Sequence, residues 1–176
     1  MEFALFTEAQ KTKYRDEIIG MIAACDHEFV PPLSQRHGPT QLDFSGALQT
    51  EDNLPAYFED MRKNDILAAF EGEELVGFIA FKRDMLNHYL TAETRPNLYV
   101  AVLLVKTSAR GCGLTSKMYQ YLFNELHPNT NLYTRTWSTN AAHAAILRKF
   151  GLEVVIRIEN DRGEGIDTVY FGKKRV

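Results

Sequence analysis

Short runs of hydrophobic residues divide the chain into a series of predicted strands and helices. The clearest run spans residues 98–105, which are mostly Val and Leu and show little polar alternation. Such a run is typical of a strand that is buried on both faces of a sheet. Six further runs predict strands at residues 2–6, 66–70, 75–81, 132–137, 153–158 and 168–172.

Apolar residues at helical spacing predict four helices between these strands. The first runs to about Cys25 and begins after Thr7, which with Gln10 has the spacing of a capping box. The others are predicted at about 51–64, from Leu114 to Pro128, and from Asn140 to Gly151. The resulting order of elements is β-α-α-β-β-β-α-β-α-β-β.

Residues 26–46 interrupt this series with a polar segment that contains Pro31, Pro32, Gly38 and Pro39. This composition predicts an irregular loop. The loop is long for a compact domain, and long ordered loops are usually functional.

Composition and charge narrow the class of protein. The 176 residues are 45% hydrophobic and 24% charged, which predicts one ordinary globular domain over residues 1–176. A net charge of −3 without a basic block argues against nucleic acid as a partner. No run is long enough to span a bilayer, and the first residues do not have the pattern of a signal peptide. Two cysteines do not make a disulfide framework, so we expect a cytoplasmic enzyme without a membrane partner.

A glycine-rich turn follows the central strand directly. Gly111 and Gly113 stand beside Arg110 just before a predicted helix, where free N–H groups and the helix dipole attract anions, above all phosphates. The spacing does not match a P-loop. A dinucleotide fingerprint would need a third glycine at position 116, which is Ser116.

Two segments carry a family resemblance. The residues Arg110-Gly111-Cys112-Gly113-Leu114-Thr115 resemble the pyrophosphate loop of the GNAT superfamily of acetyl-CoA-dependent N-acetyltransferases, departing at the last position, where Thr115 is bulkier. Residues 140–152, from Asn140 to Gly151-Leu152, resemble a later GNAT motif. The resemblance covers essentially the whole chain.

The resemblance implies a fold, a reaction and partners. The fold is an α/β (α+β) mixed sheet of about seven strands flanked by about four helices, with a splayed cleft between the central strand and the strand from Leu132. The implied reaction is direct transfer of an acetyl group from acetyl-CoA, the cosubstrate, to a primary amine of a small molecule or peptide, without a metal. The loop at residues 26–46 would cover the acceptor site. A homodimer is compatible with this family.

The resemblance also implies roles for individual residues. A backbone N–H near Leu104 and Val105 would polarise the thioester carbonyl, and the amides from Arg110 to Thr115 would hold the pyrophosphate. The full predicted cofactor site comprises Leu104, Val105, Arg110, Gly111, Cys112, Gly113, Leu114, Thr115, Asn140 and His143.

The proton donor is where the sequence departs from the family. GNAT enzymes commonly place a tyrosine seven residues after the Asn, and here that position is Leu147. His143 lies one turn earlier on the same helix face, where it would either protonate the departing thiolate or only pack against the cofactor. The sequence leaves both alternatives open.

The catalytic base is equally open. Tyr99 stands about where some relatives carry a glutamate, and it would need a chain of water molecules to act. Other candidates in the polar connections are Glu28, His37, Asp43 and His88, and a route through ordered water needs no single base. Asp161, Arg162 and Asp167 in the last hairpin would either lean over the acceptor or face water.

Two alternatives of a different class remain. A Cys112–His143 nucleophilic mechanism would make this another kind of enzyme, since a helix start favours a thiolate. The resemblance implies direct acetyl transfer, and the turn around Cys112 is that of a phosphate loop, which favours a core or loop thiol. A GNAT-shaped module that binds acyl-CoA with little turnover is the main rival, because Leu147 replaces the usual acid.

Overall fold

A seven-stranded sheet forms the centre of the protein in a computed structural model that describes residues 1–44 and 53–174. The strands are β1 Glu2–Leu5, β2 Asp65–Glu71, β3 Glu74–Arg83, β4 Asn97–Val105, β5 Asn131–Trp137, β6 Glu153–Ile158 and β7 Thr168–Lys173. Their order is β1-β2-β3-β4-β5-β7-β6, and only β4 and β5 pair in parallel. The predicted mixed sheet of seven strands is confirmed.

Within residues 1–44 and 53–174, five helices flank the sheet, where the sequence predicts about four. They are α1 Glu8–Lys13, α2 Arg15–Cys25, α3 Leu54–Met61, α4 Leu114–Gln120 and α5 Ala141–Lys149. The extra helix arises because the first predicted helix is interrupted at Tyr14, which has φ −94° and ψ 11° and whose ring stacks on Phe6 at 5.2 Å. The predicted capping box between Thr7 and Gln10 is confirmed.

Helix α4 also differs from the prediction. The sequence pattern predicts a regular helix up to Pro128, but α4 continues as a π-helical turn over Tyr121–Leu126. The wider turn places the adjacent residues Leu122 and Phe123 together in the core. The predicted start of α3 near residue 51 lies outside the described residues. Over residues 1–44 and 53–174, no helix is long and apolar enough to cross a membrane.

The helices cover the two faces of the sheet unequally. Helices α4 and α5 pack on one face, where Met118 and Leu147 join Leu98 and Val100 in one hydrophobic cluster. Helices α2 and α3 pack on the opposite face, in a second cluster that includes Val102 and Leu104 from the same strand. Strand β4 is therefore buried on both faces, as its apolar sequence predicts.

A β-bulge lies at Ala101, in the middle of β4. Val100 pairs with Phe81 and Val102 pairs with Ala80, so Ala101 has no partner of its own on β3. The parallel pairing with β5 also ends here, at Val100 and Thr134. Beyond this point the described part of β4 has no partner on β5, and the two strands leave a gap. Bulges of this kind often occur next to active sites.

Candidate active site

A cavity of about 370 Å³ occupies the gap between the separated ends of β4 and β5. Residues from both faces of the sheet line it. His143 and Ile146 of α5 lie on the α4/α5 side, whereas Phe29 and Leu33 come from the loop packed against α2 and α3. The volume falls in the range of small-molecule sites in proteins.

The glycine-rich turn has the form of an anion site. Gly111 and Gly113 have φ of 80° and 74°, and a Cβ atom added at either would meet no heavy atom within 4 Å. None of the backbone N–H groups of residues 111–116 donates a hydrogen bond within the described chain. Helix α4 begins at Leu114 without a side-chain cap. Six consecutive amides are thus available to oxygen atoms of a ligand, which is the requirement for a phosphate cradle.

The side chain of Arg110 is turned away from this turn. Its guanidinium forms an ion pair with Glu28 at 2.9 Å and donates to the Val105 carbonyl at 3.1 Å and to Cys25 Sγ at 3.1 Å. The ion pair with Glu28 is the main reason that the pKa of Arg110 is raised. This arrangement gives Arg110 a bracing role between β4 and the end of α2.

The other predicted loop residues take different positions. Cys112 is exposed and its thiol donates to the Ala109 carbonyl at 3.1 Å. Leu114 is buried in the core, and Thr115 lines the cavity. No contact joins Cys112 to His143 in the described structure, and Cys112 does not line the cavity, so the nucleophilic alternative has no geometric support.

Strand alternation distinguishes the two predicted backbone donors on β4. The N–H of Lys106 donates to Val76 on β3 at 2.9 Å. Because successive N–H groups of an extended strand point to opposite sides, we infer that the N–H of Val105 points away from β3 and towards the gap. The alternation therefore favours Val105 over Leu104 as a donor, although both residues line the cavity.

Asn140 and Leu147 act differently from the expected pattern on α5. The Asn140 side chain caps the helix, accepting from the His143 N–H at 3.2 Å and donating to Thr136 Oγ1 at 3.1 Å. Leu147 is fully buried in the core and does not line the cavity, whereas Ile146 does. Residues 140, 143 and 147 have the spacing of one helix face, but only Asn140 and His143 line the cavity, and Leu147 packs into the core.

His143 is paired with a residue that sequence reasoning did not select. Its Nε2 lies 2.8 Å from the hydroxyl of Tyr119, which is fully buried on α4. Burial lowers the pKa of His143 from its ordinary value of 6.5 to about 4. Burial likewise raises the pKa of Tyr119. Both groups are therefore neutral near pH 7.

The candidate bases are scattered. Tyr99 is buried beside Met85, Leu90, Tyr133 and Tyr170 and does not line the cavity. Glu28 lines it but is paired with Arg110. Three other candidates, His37, Asp43 and His88, are exposed. Within the described residues, no group of three or more His, Cys, Asp or Glu side chains could hold a metal ion.

Three arginines converge at the α2/α3 side of the cavity, and the sequence points only to Arg162 among them. The guanidinium carbons of Arg36, Arg135 and Arg162 lie 5.2, 5.0 and 4.8 Å from the centre of the Phe44 ring. All three arginines line the cavity. They come from three separate segments of the chain, so no local sequence pattern predicts the cluster.

Comparison with known proteins agrees with this architecture. The structure resembles the ribosomal-protein-alanine N-acetyltransferase from Brucella melitensis (16% identity, 99% of each chain, TM-score 0.64). It also resembles the structure of yncA from Salmonella typhimurium with its cofactor acetyl-CoA (15% identity, 99% of this chain and 93% of that chain, TM-score 0.65). A third similar structure is the aminoglycoside 6′-N-acetyltransferase from Enterococcus faecium (15% identity, 98% of this chain and 96% of that chain, TM-score 0.66). At such identities the likeness shows the fold alone.

The sequence comparison identifies the family. Among curated proteins no relative matches the chain. The sequence model of the acetyltransferase (GNAT) family matches residues 40–152, which include the central strand, the glycine-rich turn and the helix from Asn140. The chain therefore belongs to the GNAT acetyltransferase family.

Proposed function

We propose that the protein transfers an acetyl group from acetyl-CoA directly to a primary amine of a small molecule or peptide. The observation that carries this proposal is that one cavity passes through the gap between β4 and β5 and is lined from both faces of the sheet. A thioester on the α4/α5 side and an amine on the α2/α3 side would meet in that gap.

The residues present fit the pyrophosphate of CoA. The free amides of residues 111–116 supply donors, and the open space above Gly111 and Gly113 supplies room. Arg110 would support the loop through its bonds to Glu28 and Val105 rather than by binding phosphate itself. When bound, acetyl-CoA supplies an activated acyl carbon.

The chain's own groups would act on three points of the reaction. The Val105 N–H, pointing into the gap, would donate to the carbonyl oxygen as negative charge develops on it. An acceptor that arrives as an ammonium first loses one proton to water. The neutral amine nitrogen then forms a bond to the acyl carbon and loses its second proton, while the carbon–sulfur bond breaks and the sulfur takes the electron pair. Both protons leave through water in the cavity, since the described chain places no unpaired carboxylate on its wall.

The missing tyrosine at position 147 does not prevent this chemistry. A thiol has an ordinary pKa of about 8.5, so a thiolate is a tolerable leaving group near neutral pH and needs little help from an acid. Burial holds His143 neutral, so it would help to position the cofactor on the α4/α5 side of the cavity. It would not donate a proton as an imidazolium.

The second candidate is an acyl-CoA-binding module with little turnover. It is favoured by the burial of Leu147 and by the lowered pKa of His143, which together leave no strong acid facing the gap. A steady-state assay of CoA release with a panel of amines separates the two candidates. Turnover above the rate of spontaneous hydrolysis supports the transferase, whereas tight acetyl-CoA binding with no amine-dependent release supports the module.

The location, partners and oligomeric state of the protein are predicted from its sequence. We propose a cytoplasmic enzyme whose partners are acetyl-CoA and an amine, with neither nucleic acid nor membrane as a partner, and with a homodimer as an option. Size-exclusion chromatography with light scattering measures the oligomeric state.

A further inference from the structure

Among the described residues, the three arginines at the α2/α3 side of the cavity have no acidic partner at ion-pair distance. Arg36 and Arg162 are only 5% and 8% exposed. Among residues 1–44 and 53–174, no carboxylate lies within 4.0 Å of a guanidinium nitrogen of Arg36, Arg135 or Arg162. Buried charges are usually paired, because removing an ion from water without a partner is costly.

Backbone carbonyls hold the arginines in place without neutralising them. Arg36 donates to the Pro31 carbonyl at 2.6 Å, and Arg162 donates to the Val30 carbonyl at 2.5 Å. Arg135 donates to the Gln41 carbonyl. All three acceptors belong to the loop after α2, so the arginines fasten this loop over the sheet while their charges remain.

Not every N–H group of the cluster is used. Nη1 of Arg36, Nε of Arg135 and Nη2 of Arg162 have no hydrogen-bond partner among the described residues. None of these atoms is sealed in the core without a partner. Because the three side chains line the cavity, we infer that the unused donors face it.

Each arginine also makes the electrostatic potential at its neighbours more positive. Burial, followed by the charges of Arg36 and Arg135, lowers the pKa of Arg162 to about 9. Burial is also the main cause that lowers the pKa of Arg36 to about 10. All three guanidiniums remain protonated at neutral pH, so the α2/α3 side of the cavity carries positive charge that the nearby carboxylates of Asp26 and Asp161 offset only in part.

We propose that the acceptor amine also carries an oxyanion, a carboxylate or a phosphate, which Arg36, Arg135 and Arg162 bind at the α2/α3 side of the cavity. This inference rests on the proposed function, because it takes the amine to enter from that side. Arginine forks match the planar oxygens of carboxylates and the oxygens of phosphates, and such charge-assisted bonds are strong in a buried site. A polycationic acceptor such as an aminoglycoside would be repelled.

The first experiment measures anion binding directly, independently of acetyl transfer. Trp137 is the sole tryptophan of the chain, and it lines the cavity 5.9 Å from the Arg162 guanidinium. Its fluorescence therefore reports on occupancy beside the arginines. Titrations use glutarate, inorganic phosphate and the neutral analogue glutaramide, with calorimetry in parallel. They are made with and without saturating CoA, since phosphate alone would also bind the glycine-rich turn.

Variants locate the anion. Arg135→Gln removes one of the three charges at the partly exposed member of the cluster. Arg135→Lys keeps the positive charge but loses the planar pair of N–H donors that a guanidinium presents to a carboxylate or phosphate. The matched control is Arg83→Gln, which removes an exposed strand arginine paired with Asp65 outside the cavity. We expect saturable glutarate binding that Arg135→Gln weakens about tenfold or more, Arg135→Lys weakens less and Arg83→Gln leaves unchanged.

The second experiment compares matched acceptors in the transfer assay. Each pair has an anionic member with a carboxylate and a neutral member with a carboxamide in its place: β-alanine and β-alaninamide, 4-aminobutyrate and 4-aminobutyramide. Aminoethylphosphonate represents the phosphate class and an aminoglycoside the cationic one. We expect kcat/KM to favour the anionic members by about tenfold or more, with Arg135→Gln reducing this preference.

The outcomes separate this inference from the proposed function. Absence of glutarate and phosphate binding beside Trp137, or equal turnover of anionic and neutral acceptors, overturns the inference while acetyl transfer stands. Absence of CoA binding and of any transfer overturns the proposed function, and the glutarate titrations still decide whether the arginines form an anion site. A preference for glutarate or for phosphate in CoA-saturated protein identifies which oxyanion the cluster takes.

Discussion

The phenolic oxygen of Tyr119 lies 2.8 Å from Nε2 of His143, and this bond joins α4 to α5 beside the cavity. The tyrosine is fully buried, and burial lowers the pKa of the histidine to about 4. The pair is consequently neutral at physiological pH. A neutral imidazole is a poor proton donor, so the geometry favours a positioning role for His143.

The turnover rate of His143→Gln tests this role. Glutamine keeps a hydrogen-bonding group near Tyr119 without a titrating ring. We expect turnover within a few-fold of the wild type and an unchanged pH profile between about pH 6 and 9, because the imidazolium is scarce throughout this range. A drop of about a hundredfold or more with loss of the basic limb would instead make His143 the general acid.

Acid sensitivity of folding gives a second test of the same residue. The pKa of His143 is about 4 when folded, against an ordinary 6.5, so between these values the unfolded chain binds a proton that the folded chain does not. The free energy of unfolding therefore falls as pH falls through this window, by up to about 3 kcal/mol.

Urea denaturation at pH 7 and pH 4.5 measures this effect. His143→Gln should lose less stability than the wild type between the two pH values, whereas the exposed control His88→Gln should lose as much as the wild type. Equal losses in the wild type and His143→Gln would contradict the lowered pKa.

Local signals in the sequence predict the parts of the site that depend on neighbours along the chain. The apolar run at residues 98–105 predicts a strand buried on both faces, and Gly111 and Gly113 predict an open turn before a helix. Both are confirmed, since the required conformations follow from a few consecutive residues. The bulge at Ala101 has no such signal, because it depends on the register with β3.

Contacts between distant segments escape sequence reasoning for the same reason. The π-helical turn after α4 shifts the helical register, which is why Leu122 and Phe123 are both buried. Tyr119 meets His143 only through the packing of α4 on α5. The arginine cluster forms around Phe44 from three segments that lie 27 to 126 positions apart in the sequence, which no periodic pattern encodes.

Arg110 is predicted to matter more for stability than for CoA affinity. Its guanidinium is occupied by Glu28 and the Val105 carbonyl. Arg110→Ala should raise the CoA dissociation constant several-fold at most and lower the free energy of unfolding by about 1 kcal/mol. Calorimetry and urea denaturation measure the two effects, with Lys149→Ala as an exposed control. A loss of affinity of two or more orders of magnitude would show that the guanidinium binds the ligand directly.

Restoring the family's tyrosine at position 147 should fail. Leu147 is fully buried, so Leu147→Tyr overfills the core and should cost about 1–3 kcal/mol of unfolding free energy without a gain in turnover. Ile146→Tyr, at the cavity wall, should be tolerated better. Thermal unfolding and the CoA-release assay measure both variants. Faster turnover in a stable Leu147→Tyr protein would contradict the burial of this position.

Calorimetric titration with CoA and 3′-dephospho-CoA tests most directly whether the glycine-rich turn and the β4–β5 gap form a CoA-binding site. Gly113→Asn places a side chain over the free amides at φ 74°, and Gly72→Asn is the matched control at φ 62° in the β2–β3 hairpin. Asparagine tolerates this conformation, so both variants should fold. We predict one-site binding to the wild type and to Gly72→Asn, weakened about tenfold or more in Gly113→Asn. Folded wild-type protein that binds neither ligand would contradict the account.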